Sequence, residues 1–101
     1  MKKEIKNKEA TERVKYIIEG RRWFDRINGN TYHSVTVTDA TTNKEIVYIP
    51  ITYGYDDQYR HTAIDKLVEL GLFKESDRFN HDLIRKILYF NVVDVSRKKD
   101  L

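Results

Sequence analysis

The dipeptide Asn28-Gly29 lies between two runs of β-forming residues, and no other feature restricts the fold of this chain as tightly. A two-residue reversal between paired strands needs positive φ at both positions, and Asn and Gly tolerate that best. The flanks alternate as strands do. Val14, Tyr16 and Ile18 interleave with Arg13, Lys15 and Ile17, and the run continues through Gly20, where a bulge or bend is expected, into Arg21-Arg22-Trp23-Phe24-Asp25-Arg26. On the return, Thr31, His33, Val35 and Val37 share one face and Tyr32, Ser34, Thr36 and Thr38 the other. The first is the core side. A two-residue turn would pair Phe24 with His33 on that side and leave Trp23 opposite it with Arg21, Asp25 and Tyr32. A three-residue turn would slip the register by one and bury Trp23 instead. Either arrangement puts one aromatic in the core and one outside it.

After the polar connection at 39–45, a third β-rich run over 46–52 carries Val47, Ile49 and Ile51 on one face. Pro50 lacks a donor, so this strand is expected at an edge. Asp56 or Asp57 can cap a helix whose inner stripe is Tyr59, Ala63, Ile64, Leu67 and Leu70. Gly71-Leu72 reads as its stop, with Leu72 folding back on the last turn. Asn80 can cap a second short helix with Leu83, Ile84, Ile87 and Leu88 inward, although the same residues also suit a strand. Val92, Val93 and Val95 form a last strand, expected beside the first. The fold class is therefore α+β: an antiparallel three-stranded β-meander, a packing helix, the second short helix and a C-terminal strand. A charged arm at 1–12 and a basic tail at 97–101 flank a single domain at 13–96.

The composition excludes several chemistries. With no cysteine there is no disulfide, thiolate ligand or cysteine nucleophile, which also fits a reducing compartment. No apolar run approaches the ~18 residues of a membrane span, and no apolar stretch follows the N-terminal lysines as in a signal peptide. The expected location is the cytoplasm. His33, His61 and His81 include no helix-spaced pair, so neither a metal nor another cofactor is expected. His33 reads instead as a half-buried packing residue on the core face. Ser and Thr lie on strand faces, where β-propensity explains them, and Asp56 and Asp57 are better read as caps than as an acid/base pair. The expectation is a non-enzymatic protein.

Charge is distributed unevenly. Residues 1–26 hold nine Lys/Arg against five Asp/Glu, 27–96 seven against ten, and 97–101 three against one. Basic ends around an acidic middle suit a polyanion partner, and solvated lysines on frayed ends are the plainer explanation. Aromatics interleaved with arginine on a sheet face suit bases and phosphates, which nominates Lys15, Arg21, Arg22, Trp23, Phe24 and Arg26 for nucleic acid, DNA or RNA. Cover by another element or by a second copy explains the same pattern. Tyr53, Tyr55, Asp56, Asp57 and Tyr59 form a second, amphipathic cluster suited to a protein contact, such as an inhibitor or adaptor would make.

At Trp23-Phe24-Asp25, Asn28 to Val35, Tyr53-Gly54-Tyr55, Gln58-Tyr59 and Thr62-Ala63, the chain resembles small uncharacterised proteins encoded by bacteriophages and related mobile elements. The likeness spans most of the middle of the chain and brings no activity or site residue with it. It implies a setting: an accessory protein in the host-cell cytoplasm that regulates nucleic-acid transactions or blocks a host defence protein. Three strands followed by a helix also look like the arm-binding DNA domains of integrases, an analogy of topology alone.

Overall fold

The computed structural model describes residues 14–101, so the arm expected at 1–12 lies outside the described residues. Four strands form one sheet: β1 (Tyr16–Asp25), β2 (Asn30–Asp39), β3 (Lys44–Tyr53) and β4 (Leu88–Val95), in the order β3-β2-β1-β4. Helix α1 (Gln58–Glu69), a 3₁₀ turn (Glu75–Phe79) and helix α2 (His81–Ile87) fill the connection from β3 to β4, and a 3₁₀ turn at Lys98–Asp100 follows β4. This is the α+β order expected. The meander is antiparallel, β3 is an edge, and β4 lies beside β1, parallel to it.

The first turn is longer than two residues. Asp25 pairs with Asn30, Phe24 with Thr31 and Arg22 with His33, so four residues, 26–29, make the reversal. The Asp25 carboxylate organises it. One oxygen accepts from the backbone N–H of Ile27 (3.0 Å) and Asn28 (3.2 Å), and the other from the Asn28 side-chain amide (2.8 Å). The Gly29 N–H donates to the Asp25 carbonyl at 2.7 Å, with Gly29 at φ 73°. The expected pairing of Phe24 with His33 is thus displaced by two residues, and a two-residue shift conserves which side chains share a face. The second turn repeats the device. Asp39 accepts from Thr41 (2.8 Å) and Thr42 (3.2 Å), the Asn43 N–H reaches the Asp39 carbonyl (2.7 Å), and Asn43 has φ 60°.

The Asn28 amide, with the Asn28 and Ile27 N–H groups and the charge of Lys98, holds the Asp25 carboxyl below the usual carboxylate range, against an opposing desolvation. Its contribution to stability is therefore complete above that range and is lost as pH falls through the lowered value. The stability difference between the wild type and Asp25→Asn is expected to shrink over that interval, where the carbonyl ¹³C shift of Asp25 reports its protonation. A difference independent of pH would remove Asp25 as the organiser of the turn.

Gly20 does not form a bulge, since pairing of β1 with both neighbours runs through it without interruption. The bulges are in β3, one of them setting Pro50 and Ile51 opposite Ser34. Gly20 instead makes room for Tyr59, whose ring lies on the strand backbone. Around it Tyr59, Ala63, Ile64 and Leu67 of α1 pack with Ile18, Val35, Val37, Phe73 and Leu88 into one core on one face of the sheet. Each large apolar side chain buried there contributes about 1.5–3 kcal/mol.

The helix ends carry further corrections. Asp57 occupies the N-cap position of α1 without a side-chain capping bond, and Asp56 beside it has φ 56°. At the other end Gly71 has φ 78°, the Leu72 N–H bonds the Leu67 carbonyl and the Gly71 N–H bonds that of Val68, the glycine-dependent stop expected. The apolar residue that folds back is Phe73, 5 % exposed, and Leu72 points outward. Asn80 caps α2 through its side chain, accepting from the Leu83 N–H at 3.1 Å. The helix ends at Ile87 and the strand begins at Leu88, so 81–89 divide between the two forms. Among the described residues no helix is long and apolar enough to cross a membrane.

Candidate nucleic-acid interface

The helices cover one face of the sheet, and their reach decides the fate of the two aromatics in β1. Phe24 is on the helix-bearing face, where a two-residue turn would also have put it, but beyond the core, and is 53 % exposed. Trp23 is on the opposite face and half-buried. Neither is a core residue. The expectation that one must be buried fails because the core ends near Gly20 while the hairpin continues past it.

On the face opposite the helices three aromatics form a row across three strands. Trp23 of β1 stacks on Tyr32 of β2, with ring centroids 5.9 Å apart and planes at 24°. Tyr32 meets Tyr53 of β3 edge-on at 5.8 Å and 74°. Both spacings fall in the range of favourable aromatic pairs. Arg21 is two positions along β1 from Trp23 on this face and is exposed, and Arg26 is exposed in the adjoining turn. The C-terminal segment crosses the same face. Lys98, Lys99 and Leu101 border a shallow groove with Tyr48, Pro50 and Ile51, and the Tyr48 hydroxyl donates to the Leu101 carbonyl at 3.1 Å. Beside that groove lies Ser34 on the same face, only 2 % exposed.

The other nominated residues lie elsewhere. Arg22 points to the helix-bearing face, where its guanidinium pairs with Asp94 (2.8 Å) and donates to the Asp56 carbonyl (3.1 Å), tying β4 and the β3–α1 corner to β1. Lys15 precedes β1, at the other end of a ten-residue strand from Arg26, or about 33 Å away. In the tyrosine cluster Tyr53 and Tyr55 are 64 % and 70 % exposed and Asp56 and Asp57 are exposed, but Tyr59 is buried and cannot meet a partner. Of the two registers expected from the sequence, the two-residue turn set Tyr32 on Trp23's face, and the four-residue turn keeps it there. The contact of Tyr32 with Tyr53 and the approach of Lys98 and Lys99 were not signalled, because the first depends on the bulge at Pro50 and the second on the path of the chain after β4.

His33 is the one buried histidine. It is 1 % exposed, with Nδ1 3.0 Å from the Gly54 carbonyl and Nε2 2.7 Å from the Thr62 hydroxyl. Among the described residues no three His, Asp or Glu side chains come together as a metal site. A cleft of about 520 Å³ separates α1 from α2, with Ile64, Phe79, Ile84 and Phe90 as its apolar surface and Arg60 over the Phe90 ring at 4.7 Å. The Arg78 side chain in it is paired with Asp65 and with Glu75 (2.9 Å), and these carboxylates raise its pKa. Comparison with protein-family models, curated proteins and solved structures returns no match.

Proposed function

We propose that this chain is a non-enzymatic accessory protein of the phage type, acting in the host cytoplasm, and that it binds nucleic acid on the sheet face opposite the helices. The observation that carries this reading is the row Trp23–Tyr32–Tyr53 with Arg21 in the same face, Arg26 in the adjoining turn, and Lys98 and Lys99 at the groove formed with Tyr48, Pro50 and Ile51. Aromatic surfaces accept bases of any identity, and flanking guanidinium and ammonium groups meet the phosphates. Of the six residues nominated from sequence, Arg21, Trp23 and Arg26 belong to the surface, while Lys15, Arg22 and Phe24 fall outside it. A second reading rests on the corner at Tyr53, Tyr55, Asp56 and Asp57, whose exposed rings and carboxylates suit a basic protein partner.

Fluorescence anisotropy with labelled single- and double-stranded oligonucleotides at several salt concentrations separates the two. Trp23→Ala is expected to cost ~1–3 kcal/mol of single-strand affinity. Arg21→Ala and Arg26→Ala should each reduce the salt dependence by about one phosphate contact. Phe24→Ala and Lys15→Ala should change neither. Absence of binding to any oligonucleotide at low salt would discard this reading in favour of the protein contact.

A further inference from the structure

The two edges of the sheet are built differently. β3 carries Pro50 and two bulges, the devices that stop an edge strand from pairing with another chain. β4, the opposite edge, has none. Its sequence, Leu88-Tyr89-Phe90-Asn91-Val92-Val93-Asp94-Val95, contains no Pro, Gly, Lys or Arg, and its register with β1 is uninterrupted. Among the described residues no strand pairs with its outer side. Tyr89 and Val93 are 57 % and 48 % exposed on it. An unprotected, regular and largely apolar edge is a template for strand addition.

We propose that β4 pairs antiparallel with β4 of a second copy, with Asn91 beside its own counterpart on the two-fold axis. The side-chain pattern selects this register. Tyr89 then faces Val93 of the second copy on the face opposite the helices, and Phe90 faces Val92 on the helix-bearing face, each pair occurring twice by symmetry, while Leu88 meets Asp94 only at the ends of the paired segment. Centring the axis on Val92 would set Phe90 against Asp94 and Asn91 against Val93. A one-residue slip would instead bring the helix-bearing face of one copy level with the uncovered face of the other. In the Asn91 register both aromatic rows lie on one side of an eight-stranded sheet. The two β1 strands are then three strand spacings apart, about 14 Å. The pairing follows from the edge alone, whatever that face binds.

The chain has no cysteine, so single cysteines report the register directly. On oxidation Asn91→Cys should form a covalent dimer, because directly opposed residues in an antiparallel pair have Cα atoms about 4.5–5.5 Å apart, within disulfide reach. Tyr89→Cys and Val93→Cys should cross-link when mixed and not singly, and Glu19→Cys in β1 should not cross-link. Sedimentation velocity of the wild type should show a concentration-dependent dimer, with a dissociation constant raised at least ~10-fold by Val93→Lys while far-UV circular dichroism is unchanged. A wild type that stays monomeric, a dimer that Val93→Lys leaves intact, or cross-linking at Glu19 equal to that at Asn91 would each overturn the proposal. No oligonucleotide is present in any arm, so the outcome is independent of nucleic-acid binding.

Discussion

Gly20→Val is expected to destabilise the fold by ~3 kcal/mol, although β-propensity alone would favour valine in a strand. A Cβ at Gly20 would lie 2.6 Å from Cδ2 and 2.8 Å from Cγ of Tyr59, closer than carbon atoms approach. The ring cannot yield, because it is 1 % exposed and held edge-on against Phe90 at 6.2 Å. The gain from removing a strand glycine is about 0.5–1 kcal/mol, and overpacking a filled core costs typically 1–3 kcal/mol, occasionally more. The clash therefore sets the sign. Tyr59→Ala should itself cost ~3–5 kcal/mol as a cavity, and in that background Gly20→Val should become nearly neutral. Urea midpoints for the two single variants and the double variant test this, provided the denaturant slopes agree. Additive effects would show that Tyr59 does not occupy the space over Gly20.

The parity of β1 and β2 was legible in the sequence because alternation is local. Val35 and Val37 share one face of β2 and Trp23 falls opposite Ile18 in β1 whatever the turn does, but only a turn with an even number of residues puts Ile18 with Val35 and Val37. Turn length was not legible from Asn28-Gly29 alone, since the decisive group is a carboxylate three residues earlier. The spacing Asp25 to Gly29 recurs as Asp39 to Asn43, and that recurrence is the signal a two-residue reading passes over. Gly20 was misassigned because a glycine that yields to a bulge and one that yields to a ring look alike until the opposing element is placed. Leu72 and Phe73 are both apolar, and only the direction of the chain after Gly71 selects Phe73 for the core.

The candidate site was legible in part, for a related reason. Arg21 and Trp23 share a face through strand alternation, so their proximity needed no tertiary information. Arg22 alternates to the other face, where Asp94, 72 residues away in sequence, and the Asp56 carbonyl engage it. No window of sequence holds that partnership. A burial expectation for Trp23 or Phe24 presumed a helix long enough to cover the hairpin, whereas α1 has twelve residues and is centred over Ile18, Val35 and Val37. The hairpin end therefore extends past the core, which leaves Phe24 exposed on the helix-bearing face, while the aromatic row is accessible because the helices pack on the other side of the sheet.

The row also depends on His33, through the corner that follows Tyr53. A carbonyl can only accept, so His33 Nδ1–H donates to Gly54, and in the neutral ring Nε2 accepts from the Thr62 hydroxyl. The Gly54 N–H in turn donates to the Thr31 carbonyl at 3.0 Å, so both polar backbone groups of Gly54 are bound to β2 or its side chains. Gly54 has φ 149° and would press a Cβ into Gln58, which fixes glycine at the corner. His33→Leu fills a comparable volume but leaves the Gly54 carbonyl and the Thr62 hydroxyl without their partner. At ~1–3 kcal/mol for each unsatisfied buried group, the expected loss is about 3 kcal/mol, discounted because Thr62 is only half-buried. Thr62→Val should cost about 1 kcal/mol, and the double variant less than the sum, since one interaction is shared. Near-ultraviolet circular dichroism adds a second readout. His33→Leu frees the corner and should weaken the signal of the coupled Trp23, Tyr32 and Tyr53 rings, whereas Thr62→Val leaves the Gly54 bond in place and should preserve it. Equal spectra for the two variants, with additive stabilities, would show that His33 is a packing residue alone and that Tyr53 is positioned by β3 without it.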